Sequence, residues 1–189
     1  MKRALVPLAA GFEEIEAITV IDLLRRGGVD VTVAGVDGAA ITGAHGITVA
    51  CDGVADGIDA MAFDALILPG GMPGTRHLGE SRLVREWVGE FAKAGRLLAA
   101  ICAAPVVLDA CGALAGRRAT SHPAHATEMQ TCRYETSAVV RDGNVITSRG
   151  AGTAVEFAAA LVEELVGADM ARDILASIQY GARPAAGTR

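Results

Sequence analysis

Apolar residues in this chain fall into short blocks, and the blocks alternate between two periods. Ala4 to Leu8, Val29 to Val36, Ala65 to Leu68 and Leu97 to Ile101 are nearly unbroken aliphatic runs, each closed by glycine, proline or a polar residue. Runs of that length and composition predict strands buried on both faces of a sheet. Between them, Glu13 to Arg26 and Ser81 to Ala94 space their apolar residues at helical period. The first has acids in its opening turn and arginines in its last, and both placements complement the helix dipole. The second begins at Ser81, a hydroxyl suited to capping, and ends at Gly95. Ile41 to Cys51 holds two short β-type runs around His45-Gly46 and predicts a small hairpin. Val106 to Cys111 predicts a helix with Pro105 in its first turn and Gly112 as its stop. Val139-Val140 and Val145-Ile146 flank a turn sequence, Arg141-Asp142-Gly143-Asn144, and predict a second hairpin. A long helix is expected from Gly152-Thr153 to Val166 and a further one over Met170 to Ile178, followed by a loose tail over 182–189.

Strands alternating with helices imply parallel βαβ units, hence an α/β sandwich whose mostly parallel sheet carries helices on both faces. No repeat or linker interrupts the pattern, so residues 1–189 are expected to form one domain. Composition agrees: aliphatic residues dominate and glycines are many. The net charge of −5 and the lack of a basic patch argue against nucleic acid as a partner. The apolar run after Met1-Lys2-Arg3 is shorter than a signal-peptide core, and no stretch approaches the ~20 residues that span a bilayer. The four cysteines form no C-x-x-C pair and no zinc-finger spacing, so a cytoplasmic protein with reduced thiols and no membrane partner is expected.

The strongest candidate for chemistry is Cys102. An apolar strand runs directly into it and a helix follows, the geometry of a nucleophile elbow. The turn would place the thiol at the carboxyl end of the strands, and the helix start would lower its pKa. The ordinary alternative is a small core cysteine. Glu16 continues the apolar stripe of Val20, Leu23 and Gly27 at i, i+4, i+7 spacing, so its carboxylate should point inward with a raised pKa. Its alternative is a first-turn acid on the helix dipole, the role assigned to Glu13 and Glu14; Asp22 is a weaker candidate of the same kind. Leu68-Pro69-Gly70-Gly71 lets backbone approach a ligand closely, and the Gly71 and Ala103 N–H groups could aim at a developing oxyanion; the ordinary alternative is a plain tight turn. His122 could meet Cys102 only through the fold. His122 and His125 have no third ligand at metal spacing, so no metal is expected; His45 and His77 are read as surface or loop residues.

Taken together, seven segments resemble the ThiJ/PfpI superfamily, in the branch of the parkinsonism-associated protein deglycase and the bacterial YajL-type proteins. They are Arg3-Ala4-Leu5-Val6, Gly11-Phe12-Glu13-Glu14-Ile15-Glu16, Val31-Thr32-Val33-Ala34-Gly35, Leu68-Pro69-Gly70-Gly71, Ala99-Ala100-Ile101-Cys102-Ala103-Ala104-Pro105, His122-Pro123 and Thr147-Ser148-Arg149-Gly150-Ala151-Gly152-Thr153. They follow the family's order along nearly the whole chain. The resemblance implies a flavodoxin-like sandwich, usually a homodimer, with Cys102 as reactive cysteine, Glu16 as its partner, His122 nearby, and Gly71 and Ala103 as backbone donors. It implies cofactor-independent conversion of methylglyoxal or glyoxal to hydroxy acids, or repair of early glycation adducts, with a part in oxidative-stress protection. A redox-sensing cysteine and a stress chaperone without turnover are the competing expectations. Ala103 stands where protease-type members carry histidine, and no His-x-Glu follows the cysteine as in class I glutamine amidotransferases, so both of those readings fall. His45 replaces an arginine common in close relatives, and Ala151 replaces a proline.

Overall fold

A computed structural model describes residues 1–181; the tail expected over 182–189 lies outside the described residues. In chain order the elements are β1 (Arg3–Leu8), α1 (Glu14–Arg26), β2 (Asp30–Gly35), β3 (Ala40–Thr42), β4 (Thr48–Ala50), β5 (Gly53–Val54), β6 (Ala65–Leu68), α2 (Gly74–Glu80) and α3 (Arg82–Ala94). They continue with β7 (Leu97–Ile101), α4 (Pro105–Ala110), β8 (Arg118–Ala119), β9 (Arg133–Tyr134), β10 (Val139–Asp142), β11 (Val145–Ser148), α5 (Ala154–Leu165) and α6 (Ala168–Ser177). The main sheet runs β10-β11-β7-β6-β1-β2-β5, parallel throughout except where β10 turns back on β11. Leaving aside its edge strands, this is the doubly wound flavodoxin-like order, with the chain reversing direction across the sheet between β1 and β6.

The aliphatic runs form strands because both of their faces are covered. Successive side chains of β1 go to opposite sides. Ala4, Val6 and Leu8 enter the core with Leu24, Phe157 and Leu161, whereas Leu5 enters the other core with Trp87, Phe91 and Leu108. Strand β7 divides in the same way, Leu97, Ala99 and Ile101 against Leu98 and Ala100. Helices α1, α5 and α6 therefore cover one face and α2, α3 and α4 the other. Ser81 caps α3 by accepting from Val84 N, and Gly95 ends it with φ 66°, as the sequence predicts. Helix α1 begins one residue later than expected, with Glu13 at its cap. No helix among the described residues is long and apolar enough to cross a membrane.

The sequence pattern does not predict helix α2. Leu78 is its one large apolar residue, so it has no amphipathic period, and two of its seven residues are glycine. Gly74 is there for contact rather than propensity: a Cβ on it would stand 2.6 Å from Phe12 N. The short β8–β9 pair and the 3-10 turn over Pro123–Glu128 are likewise too brief to show a period. Asp109 in α4 holds the chain that follows that turn. Its buried carboxylate accepts from Gln130 N (2.9 Å), Thr131 N (3.2 Å) and Thr131 Oγ1 (2.5 Å).

Phe157 is fully buried among the apolar side chains of α1, α5 and the sheet. Phe157→Ala is expected to lower stability by about 3–5 kcal/mol, seen as a reduced urea midpoint with unchanged m-value.

Candidate active site

Three segments meet at the carboxyl end of the sheet. The first is the turn after β7. Cys102 has φ 65°, one of two non-glycine residues with positive φ among those described. A side chain held in the left-handed region costs of order 1–3 kcal/mol and persists only where its surroundings over-determine it. Here Cys102 N donates to Ser148 O (2.9 Å) and its carbonyl accepts from His122 N (2.7 Å), so both neighbouring segments fix the turn. The helix does not start at once, as the sequence suggests. Residues 102–104 form a turn, and α4 runs only from Pro105 to Ala110.

The second segment is the loop after β6. A Cβ on Gly70 would lie 2.6 Å from both Cys102 Cβ and Glu16 Oε2, so any side chain there would push the two groups apart. Gly71 has φ 90°, and a Cβ on it would lie 2.3 Å from Glu13 N. The third segment is the first turn of α1, anchored here because Glu13 N donates to Gly70 O (2.9 Å). Glu16 is fully buried, as its place in the apolar stripe predicts. Its Oε2 accepts from Gly70 N (2.9 Å), Oε1 is buried without a hydrogen-bond partner, and the Cys102 thiol lies beside the carboxyl. The N–H groups of Gly71 and Ala103 both point at the Cys102 sulfur.

Burial pushes Glu16 up to about 7, against the lowering effects of Cys102 and Gly70 N–H. The thiol departs from the sequence expectation. Burial first, then the Glu16 charge, pushes Cys102 up to about 12, and the two N–H donors only partly oppose this. Helix α4, on which the elbow pattern relies, has six residues and starts three residues on. The thiolate depends instead on where one shared proton sits. With the carboxylate charged, the sulfur keeps its proton. With the proton on Glu16, the opposing charge is gone and its O–H can donate to sulfur.

A cleft of about 470 Å³ opens over this centre, walled by Glu13, Cys102, His122, Pro123, Arg149 and the Gly150–Thr153 turn. The fold thus brings Cys102, Glu16 and His122 to one cleft, with Gly70, Gly71 and Ala103 beneath it. His122 Nδ1 accepts from Ala124 N (3.2 Å), which assigns the ring proton to Nε2 in the neutral imidazole. Among the described residues His122 makes no side-chain hydrogen bond to Cys102; a Cβ built on Gly150 would sit 3.5 Å from His122 Cδ2 and 3.9 Å from Cys102 Sγ. His125 stands edge-on to His122 with centroids 6.2 Å apart, and its Nδ1 is held by Glu128 (2.7 Å). His77 lies on α2 with Nδ1 2.9 Å from Ala10 O. Asp22 is outside the site, exposed and paired with Arg26 at 2.8 Å.

Glu14 corrects its sequence assignment. It is not a solvated dipole acid but is buried, 5% exposed. Its carboxylate fills the space over Gly43 and accepts from His45 N (2.7 Å) and Ile47 N (3.4 Å), with His45 Nδ1 at 2.8 Å. It clamps the β3–β4 hairpin onto α1 beside the cleft. Glu13, Glu14 and His45 also bring three potential ligand atoms within 4.8 Å of one another, but the Glu14 oxygens are already engaged by the hairpin. Sequence reasoning gave no role at the cleft to Glu13 or Arg149, although both lie in matched segments, and missed the Glu14 clamp, for which the glycine at position 43 was the available sign.

A doubly wound sheet with a left-handed cysteine turn, a buried carboxyl beneath the sulfur and two backbone N–H groups aimed at it defines a flavodoxin-like protein with a cysteine elbow. The model of the DJ-1/PfpI family matches residues 2–164, and the chain belongs to that family. Protein dj-1beta of Drosophila melanogaster is 41% identical over 176 residues, covering 92% of this chain and 94% of that protein. The crystal structure of Drosophila melanogaster DJ-1beta superposes with TM-score 0.91 at 40% identity, covering 94% of this chain and 97% of that one. The glutathione-independent glyoxalase DJR-1.2 of Caenorhabditis elegans is 38% identical over 165 residues, 86% of this chain and 88% of that protein. Protein DJ-1 homolog B of Arabidopsis thaliana is 39% identical over 176 residues; these are 92% of this chain, which spans only 40% of that protein's length.

His45, then Glu14's other hydrogen bonds, hold the Glu14 carboxyl down to about 2 despite its burial, which alone would raise it. A depressed carboxylate contributes stability above its ordinary 4.5 and loses it as pH falls through about 2. Glu14→Gln should therefore be less stable than wild type at neutral pH, with the gap in urea midpoint closing over that acid window. A gap that stays constant on acidification would overturn the assignment.

Proposed function

We propose that the chain converts 2-oxoaldehydes such as methylglyoxal and glyoxal to hydroxy acids, and accepts the carbinol adducts these form with amino groups as a deglycase. The observation that carries this reading is the sulfur itself, met by the Glu16 carboxyl on one side and by the Gly71 and Ala103 N–H groups on another. The printed name of the Caenorhabditis elegans relative supports it.

The Cys102 thiolate, formed as its proton passes to Glu16, adds to the aldehyde carbon and gives a hemithioacetal. The oxyanion takes hydrogen bonds from Gly71 and Ala103. Glu16, having returned its proton to that oxyanion, removes the one on C1, and the electron pair passes through an enediolate whose C2 oxygen takes up the proton of the C1 hydroxyl. Return of that proton to C2 leaves C1 oxidised to a thioester and C2 reduced to a hydroxyl. Water then cleaves the C–S bond, releasing lactate and restoring the thiol. A carboxyl with a pKa of about 7 suits both halves of the proton transfer at neutral pH. His122, which lines the cleft and carries its ring proton on Nε2 when neutral, is the candidate donor to the C2 oxygen. The implied homodimer belongs to the same reading; exposed Ile15 and Ile18 on α1 and Ile47 on the clamped hairpin support it.

Lactate formation from methylglyoxal, without added glutathione or metal, is expected for wild type and absent for Cys102→Ser. Glu16→Gln should lose about 10²-fold or more in kcat while its melting temperature holds. Lactate formation that survives in Cys102→Ser would remove the nucleophile from the scheme.

One observation favours a redox role for the same sulfur. Glu16 Oε1 is buried without a partner, and two N–H groups face Sγ, an arrangement that also suits a sulfinate held by a protonated carboxyl. Mild peroxide should then add two oxygens to Cys102 before Cys51, Cys111 or Cys132, as read by peptide mass spectrometry. Earlier oxidation of any of those three would count against it.

A further inference from the structure

The wall of the cleft formed by α1 is acidic, and one titratable cation, His45 of the clamped hairpin, stands against its Glu13. Glu13 lines the cleft and is largely buried. His45 Nδ1 stands 3.7 Å from Glu13 Oε2 and 2.8 Å from Glu14 Oε2, with its own side chain 68% exposed. No Lys or Arg occurs from Ala40 to Ala50, so His45 is the hairpin's sole possible positive charge. The other charged or titratable groups at the cleft are Glu16, Cys102, His122 and Arg149.

The balance of charge therefore turns on His45. With Glu16 carrying the proton, the Arg149 guanidinium alone offsets the charges of Glu13 and Glu14 when His45 is neutral, and the balance around the cleft is net negative. When His45 is protonated, the two signs cancel. Its hydrogen bond to Glu14, followed by the charges of Glu13 and Glu14, raises His45 from the ordinary 6.5, which keeps the cation present closer to neutrality.

We propose that His45 is a specificity-determining residue: its charge, acting beside Glu13, biases the Cys102 cleft between anionic and neutral carbonyl compounds. Carboxylate- or phosphate-bearing aldehydes are favoured when the imidazole is protonated and disfavoured when it is neutral. Neutral 2-oxoaldehydes are indifferent to it. The proposal rests on the reading of Cys102 as the reactive centre, and its test reads the thiol rather than turnover, so a failed lactate assay leaves it standing or falling by itself.

The test compares Cys102 alkylation by neutral iodoacetamide and anionic iodoacetate across pH, quantified by mass spectrometry of the Cys102 peptide. The ratio of the two rates cancels the thiolate fraction. A unit charge roughly 8 Å away through water changes such a ratio about two- to threefold. In wild type the iodoacetate-to-iodoacetamide ratio should fall by about that factor as His45 loses its proton. His45→Gln, which keeps a donor for Glu14, should hold the ratio at the low value at every pH. His45→Arg should hold it at the high value, and Glu13→Gln should raise it throughout. Added salt should compress all of these differences. A wild-type titration that persists in His45→Gln and His45→Arg, or one that vanishes in His122→Gln instead, overturns the proposal. Thermal midpoints of the variants within a few degrees of wild type establish that each is folded.

Discussion

Gly70 has no room for a side chain, and the rest of the site depends on that. Its Cα lies where the turn after β7, the first turns of α1 and the end of β6 converge, so that a methyl would touch Cys102, Glu16 and the Ile101 carbonyl together. The bare backbone does three things at once. Its N–H satisfies one oxygen of a fully buried carboxylate, its carbonyl receives Glu13 N and so anchors the start of α1, and it delivers Gly71 N–H to the sulfur. Parallel strands make this convergence possible, because β1, β6 and β7 all end at the same edge. The strained Cys102 backbone is held there by partners on both sides, Ser148 and His122. Rigidity at this point is what lets a thiol, a carboxyl and two N–H groups stay within reach of one reacting carbon.

That rigidity also determines the electrostatics. Removing a carboxyl and a thiol from water together disfavours two negative charges and favours one. The pair then behaves as a single acid with one mobile proton, which is a better device for moving a proton between adjacent carbons than a permanently charged base would be. The same arrangement accounts for the second reading, since an oxidised sulfur needs donors where the oxyanion needs them. Enzyme and sensor differ in the electrophile that arrives, not in the machinery that meets it.

Much of this was legible in the string because burial leaves periodic traces. The four core strands and helices α1 and α3 follow from runs and stripes of apolar residues, and Glu16 stood out because it occupies an apolar stripe. What stayed hidden depends on contact between distant segments. Helix α2 exists because Gly74 fits against Phe12, a fact no local propensity contains. Glu14 reads as one more first-turn acid until the hairpin folds over it and supplies its donors. The thiol was misjudged for a related reason. The elbow pattern shows a helix to come, whereas the balance at the sulfur is set by desolvation and by a carboxyl 86 positions earlier in the chain.

The Glu14 clamp shows how one buried charge can serve both stability and access. A carboxylate that is 5% exposed must be compensated, and beside its own backbone N–H the hairpin does this, through two backbone N–H groups and one imidazole. Two of these three donors are backbone, so they hold the hairpin whether or not the imidazole is charged. The third is a histidine facing solvent, so the charge presented toward Glu13 follows pH. Splitting the compensation in this way separates the shape of the cleft from its sign. The cleft keeps its geometry while its preference for charged or neutral ligands follows the surrounding proton concentration.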